Sequence, residues 1–165
     1  NFDKAKKVLE ERKALYKGEY KIHDKVYSHK SKTLGEEFLR LRLVPQNIWY
    51  DKEVIVSIKN TEVKEFGKNS IVPLKKQFDT EEEAQKYIND NLLNDFEFSF
   101  EFDRIGWQYD LGNGEQVDLE DVEGHLSIEA KSETEEGIRK LIEDLHMGDI
   151  LKGPSVVKIK ELLGR

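Results

Sequence analysis

Cysteine is absent from all 165 residues of this chain. No disulfide can staple it, and no thiolate can hold zinc or an iron–sulfur cluster. That absence leaves the compartment open, and a cytoplasmic location is the expectation. No apolar run approaches the length of a membrane span, and no secretory signal opens the chain, so no membrane partner is expected. Positive charge is scarce: 27 Lys and Arg stand against 34 Asp and Glu, for a net charge of −7 and a pI near 5.3. A nucleic-acid binder is usually basic, so nucleic acid is not an expected partner. The four histidines, His23, His29, His125 and His146, show no metal-ligand spacing and read as isolated surface residues. There is no internal repeat and no low-complexity segment. What is present is 37% hydrophobic and 37% charged residues, with Phe, Ile, Leu and Val recurring throughout. That is a globular chain with a heavily charged surface, read as a single domain over residues 1–165.

The most informative stretch is Glu37-Phe38-Leu39-Arg40-Leu41-Arg42-Leu43-Val44. As a β-strand it points Leu39, Leu41 and Leu43 to one side and Arg40 and Arg42 to the other. The leucine face belongs in a core. Two guanidiniums side by side repel unless something negative lies between them, and a phosphate chain matches their planar donors. A solvated outer face of an antiparallel sheet is the plain alternative.

Around this strand the other elements follow from periodicity. Phe2 to about Leu15 reads as a helix, with Phe2, Ala5, Val8, Leu9 and Arg12 in one stripe and Asn1 as a cap. Gly18 ends it. Strands are expected over Glu19–Ser28, Glu53–Lys59 and Ile71–Phe78, with Pro73 marking an edge or a bulge. Asn60 to Ser70 reads as a hairpin loop, and Pro45 to Asp51 as a turn. Thr80 and Glu83 form a capping box for a helix running to about Leu93. Phe96, Phe98, Phe100 and Phe102 alternate with polar residues, the cleanest strand signal in the chain, and such a stripe reads as core. Ile105 to Leu111 continues that strand. Return strands follow at Gln116–Val122 and Leu126–Lys131, after turns at Gly112-Asn113-Gly114 and Gly124. Ser132 or Thr134 opens a last long helix to about His146, Gly153-Pro154 breaks the chain, and a short tail runs from Ser155 to Gly164.

Several of these strands pair an apolar face with a charged one. Ser57 and Lys59 oppose Val56 and Ile58. Asp118 and Glu120 oppose Val117 and Leu119, and Ser127, Glu129 and Lys131 oppose Leu126, Ile128 and Ala130. In an open sheet the charged face is wet. In a closed barrel with helices outside, it lines a lumen suited to a polyphosphate and its divalent cations. Alternation leaves both readings open.

In its order of motifs the whole chain resembles a CYTH domain, the triphosphate tunnel metalloenzyme family of class IV adenylyl cyclases and thiamine- or inorganic-triphosphatases. The residues that carry the resemblance are the Leu-Arg-Leu-Arg strand at Leu39 to Arg42, the strand ending in Lys59, and the acidic helix start at Asp79. They continue with Tyr109 of a Lys-x-Arg-x-x-Tyr motif, the acidic Ser127-Ile128-Glu129 strand, and the Ser132 to Glu136 helix start. The resemblance implies an α+β fold, an antiparallel β-barrel tunnel of about eight strands with helices packed outside. The family's Glu-x-Glu-x-Lys strand would precede the first helix, and with Asn1 in first place the expectation is that this strand is missing from the chain. Other departures are Pro73, Lys75 and Gln77 at positions usually carrying carboxylates, Arg104 and Gly106 for the Lys and Arg of the motif, Glu120 for an Asp, and Ser127 for a Glu. Arg104 falls on the phenylalanine face, so it needs a bulge to enter the lumen; otherwise Glu101 and Asp103 would line it.

The resemblance implies a divalent-metal-dependent enzyme that acts on a nucleoside or inorganic triphosphate, by phosphoanhydride hydrolysis or adenylyl cyclisation. Arg40, Arg42, Lys59 and Arg104 would bind phosphate, Glu129 and Glu120 would hold Mg²⁺ or Mn²⁺, and Lys59 and Glu129 would be catalytic. The partner would be a small-molecule triphosphate or nucleotide, and a homodimer is compatible with it. The thinned carboxylate set keeps a second reading open: a catalytically degenerate polyphosphate- or nucleotide-binding module.

Overall fold

The computed structural model describes residues 2–46, 48–49, 52–64, 67–145 and 155–165, the side chains of 62–64 and 67–70 excepted. The expectations at Asn1, Asp51, His146 and Gly153-Pro154 lie outside them. Among the described residues, four helices and seven strands follow in the order α1 (Asp3–Glu11), β1 (Leu15–His29), β2 (Glu37–Gln46), β3 (Val54–Lys64), β4 (Gly67–Phe78), α2 (Glu81–Asn91), β5 (Phe96–Gly112), β6 (Glu115–Val122), β7 (His125–Lys131), α3 (Glu135–Asp144) and α4 (Ser155–Leu163). All seven strands form one antiparallel sheet in the order β4-β3-β2-β1-β5-β6-β7. This is the α+β, tunnel-like class expected. No ladder joins β4 to β7 among the described residues. Yet Lys75 of β4 and Glu129 and Lys131 of β7 line the same cavity, so the sheet is curled until its edges face each other.

The outer face packs on helices, as its apolar alternation demands. Leu39, Leu41, Val54 and Val56 bury against Ala84 and Ile88 of α2. Val117 and Leu119 bury against Ala5 and Leu9 of α1 and Leu141 of α3. Thr80 caps α2, its hydroxyl accepting from the Glu83 N–H at 3.2 Å, and Thr134 caps α3 by accepting from Gly137 at 3.0 Å. Acidic residues fill the first turn of both helices, where the helix dipole favours them. No helix among the described residues is long and apolar enough to cross a membrane.

Four expectations are corrected. First, β1 begins at Leu15, and Gly18 lies inside it at a register shift with φ +131°, a backbone that favours glycine. Second, 60–64 and 67–70 are strand and not loop: β3 and β4 extend to Lys64 and from Gly67, because cross-strand pairing satisfies a polar backbone that sequence alone leaves unassigned. Third, the four phenylalanines do not share a face. A bulge in β5 pairs Tyr27 with Phe98 but Val26 with Phe100. Phe96 therefore packs outside with α2, whereas Phe100 and Phe102 turn into the concave side. Fourth, the tail Ser155–Leu163 is a helix, and its Val156 and Ile159 bury against Phe38, Phe100 and Phe102 at one end of the concave side. That apolar seat offsets the ordering cost that a polar tail could not meet. Pro73 lies on an edge strand, as its missing N–H requires.

Candidate functional site

The concave face encloses a cavity of about 460 Å³, a size typical of small-molecule sites. Its lining follows strand alternation. Register pairs Arg40 with Ser57, Arg42 with Ile55, and Ser57 with Lys75, which puts Arg40, Arg42, Lys59 and Lys75 on the inner face of β2, β3 and β4. Across the cavity, Asp118 pairs with Glu129, Gln116 with Lys131 and Glu120 with Ser127, so β6 and β7 contribute Asp118, Glu120, Glu129 and Lys131. Phe102 and α4 bound one end. Tyr20, Ile22 and Trp49 stand at the other.

Two central residues tie the sides together. Asp24 of β1 is 1% exposed and accepts from Arg42 Nε and Nη2, both at 2.8 Å. Arg104 of β5 donates to Glu120 Oε2 at 3.0 Å and to Asp24 Oδ2 at 3.4 Å. Its Nε is buried with no hydrogen-bond partner among the described residues. Burial alone would raise the Asp24 carboxyl, but the Arg42 guanidinium, helped by Arg40 and Arg104, holds it well below the usual carboxylate range. Burial opposes the charge of Arg104, and Glu120 and Asp24 more than restore it.

The carboxylates behave oppositely. Asp118, Glu120 and Glu129 each offer an oxygen within 4.8 Å of the other two. Burial raises the Asp118 carboxyl, with Lys131 opposing and Glu129 adding to the rise. Burial raises Glu120 as well; Arg104 opposes this, and the Glu129 charge adds to it. Tyr20 lies beside them, its hydroxyl 3.0 Å from Asp118 Oδ2 and 3.2 Å from Glu120 Oε1. Burial and those two carboxylates push its phenol far above the ordinary range, so it stays a donor. Three hard oxygen donors packed in mutual repulsion fit a small divalent cation, which would relieve that repulsion. The cluster can hold a metal ion.

The structure thus brings Arg40, Arg42, Lys59, Arg104, Glu120 and Glu129 onto one cavity. Arg104 enters because the β5 bulge reverses the phase of the strand, and Glu101 and Asp103 stay exposed on the outer side, bridged by His23 at 2.9 and 2.8 Å. Asp118, Asp24, Tyr20 and Lys75 join the site although none of them had been given a site role from the sequence. The alternation of Asp118 with Glu120 was the available signal for the first. Lys75 held a position where a carboxylate was awaited. Nothing in sequence spacing pointed to Asp24 or Tyr20.

No family model and no curated protein matches this chain in sequence. Solved structures match in fold. The PH1819 protein of Pyrococcus horikoshii is 19% identical, with a TM-score of 0.69 over 99% of this chain and 94% of its own. The PH1012 protein of the same organism is 20% identical, with a TM-score of 0.68 over 90% and 87%. A putative adenylyl cyclase from Hippeastrum, described as having a dominant triphosphatase activity, is 16% identical, with a TM-score of 0.58 over 87% and 80%. These neighbours share the α+β, tunnel-like fold class that the CYTH resemblance implies, here a curled seven-stranded sheet with no ladder joining β4 to β7 among the described residues.

Proposed function

We propose that this protein is a divalent-metal-dependent enzyme that acts on a nucleoside triphosphate or inorganic triphosphate bound in the trough. A single observation carries the reading: one cavity is lined on one side by Arg40, Arg42, Lys59 and Lys75, and on the other by Asp118, Glu120 and Glu129. Polyphosphate needs cations for its oxygens and a metal ion for its developing charge, and this cavity has side chains for both. Arg40 and Lys59 set positive charge along the phosphate path. Arg42 spends Nε and Nη2 on Asp24, which fixes the guanidinium and leaves Nη1 to meet a phosphate oxygen. Arg104, held by Glu120 and Asp24, places charge between the two sides. Asp118, Glu120 and Glu129 would hold Mg²⁺ or Mn²⁺. Held there, the ion would supply Lewis-acid polarisation of a phosphoryl oxygen and a more acidic water. The Hippeastrum neighbour's described activity supports the choice of reaction class. A cytoplasmic pool of nucleotide or polyphosphate is the substrate source this reading calls for.

Lys75 favours the second reading, a binding module without turnover, since it adds a cation to the cavity at a strand position where the resemblance calls for a carboxylate. Phosphorus NMR of the full chain with tripolyphosphate or ATP and Mg²⁺ or Mn²⁺ separates the two. Growth of an orthophosphate peak is the expected result and means hydrolysis; pyrophosphate with a cyclic phosphodiester means cyclisation. Broadened substrate peaks without new ones would retire the enzyme in favour of the binder.

A further inference from the structure

We infer that Tyr20 is the positioning residue of the acidic cluster, and that it reaches the cluster through a gap kept open by Gly106. This rests on the reading of Asp118, Glu120 and Glu129 as a divalent-metal site. Tyr20, Gly106 and Glu120 form one row across three strands: Tyr20 is the register partner of Gly106, and Gly106 of Glu120. A side chain on β1 can touch one on β6 only if β5 presents nothing between them. A Cβ at Gly106 would lie 2.0 Å from Tyr20 Cζ and 2.3 Å from its Oη, closer than any real contact. Gly106 has no positive φ, so its backbone does not call for glycine; the tyrosine ring does.

Through that gap the hydroxyl meets Asp118 Oδ2 and Glu120 Oε1. The other oxygens are held as well: Gln116 Nε2 donates to Asp118 Oδ1 at 3.0 Å, and Arg104 Nη1 to Glu120 Oε2. Trp49 packs on the ring at a tilt of 52°, with centroids 4.4 Å apart. The phenol has one proton to donate, to the nearer Asp118 Oδ2 or to Glu120 Oε1, so it ties the two carboxylates to each other while Gln116 and Arg104 hold their far oxygens. Each oxygen has a second lone pair for a cation. A neutral phenol in that gap orients the carboxylates without cancelling the negative charge that draws a cation.

The test measures Mn²⁺ binding to the full chain by electron paramagnetic resonance, without substrate, beside thermal melting. Tyr20→Phe keeps the ring and removes only the donor. It should weaken Mn²⁺ binding about tenfold or more while moving the midpoint by only a few degrees. Gly106→Ala should lower both quantities. The Tyr20→Ala/Gly106→Ala double variant should recover the midpoint of Gly106→Ala but not its Mn²⁺ affinity. Wild-type affinity in Tyr20→Phe overturns the inference and leaves the metal site standing. A wild-type chain that binds no Mn²⁺ overturns the metal site itself, and the inference with it.

Discussion

The two sides of the trough are built by the same device and come out opposite. On β2, β3 and β4, alternation delivers Arg40, Arg42, Lys59 and Lys75 to the cavity; on β6 and β7 it delivers Asp118, Glu120 and Glu129, with Lys131. The strands between them reverse the sign. Asp24 on β1 faces Arg42 of the cationic side, and Arg104 on β5 faces Glu120 of the anionic side. Each side is therefore partly neutralised by its neighbour, and Asp24 and Arg104 close the chain at 3.4 Å. Four buried charges in sequence let two sets, each repelling within itself, share one interior. Charge in a core of this kind serves placement more than stability, since buried pairs return little beyond their desolvation cost.

The comparison breaks most severely at its centre. Asp24→Asn leaves Arg42 and Arg104 buried without their shared carboxylate, and should cost about 3–5 kcal/mol in urea unfolding. A loss under about 1 kcal/mol would mean that the arginines are placed without it. The folded Asp24 carboxyl lies below its unfolded value of 3.8. Its contribution to stability is therefore full above about pH 3.8 and is lost as pH falls from there toward the folded value. In Asp24→Asn this part of the acid sensitivity should be absent from the unfolding profile.

The anionic side comes next. Glu129→Gln should lower Mg²⁺- or Mn²⁺-dependent turnover by about 100-fold or more, because even partners outside the ligand shell are worth 10- to 100-fold. Metal-free tripolyphosphate binding by the same variant should persist. A fully active Glu129→Gln protein would move the metal elsewhere. On the cationic side, Arg40→Ala should weaken tripolyphosphate binding by about 10- to 100-fold in calorimetry, the worth of a charged hydrogen bond. Its melting curve should stay near wild type, because the side chain lines the cavity and not the core. Unchanged affinity would remove the tunnel from the mechanism.

The smallest effect sharpens the contrast between inner and outer faces. Outside, His23 bridges Glu101 and Asp103 in the open. Burial lowers its pKa, but the hydrogen bonds to Asp103 and Glu101 more than compensate and hold it above 6.5. Its contribution is therefore present below pH 6.5 and is lost as pH rises through the folded value. His23→Gln should flatten that part of the stability profile without touching metal or phosphate binding. A change in either would tie the outer face to the site.

Much of this arrangement was legible in the chain. Leu39, Leu41 and Leu43 against Arg40 and Arg42, and Val117 and Leu119 against Asp118 and Glu120, showed which residues share a face, because a strand has a period of two. The Phe96 to Phe102 stripe misled for the same reason. One bulge reverses a period-two pattern, and the bulge at Ser99 leaves no mark in composition. Asp24 was illegible because its strand shifts register against both neighbours, between Lys21 and His23 and between Tyr16 and Gly18. Tyr20 falls within the strand expected over Glu19–Ser28 with nothing to mark it, and its role depends on a glycine 86 positions away being its partner.

Alone, then, the sequence determined where the strands lie if not how far they run, the two-faced character of most of them, the cap at Thr80 and the set of charges available, since these depend on neighbours a few residues apart. Only the tertiary structure decided which charges meet. The curl of the sheet, the β5 bulge and the β5–β6–β7 register bring Asp24 to Arg104, Asp118 to Glu129 and Tyr20 to Glu120, and those distances depend on pairings across the whole chain.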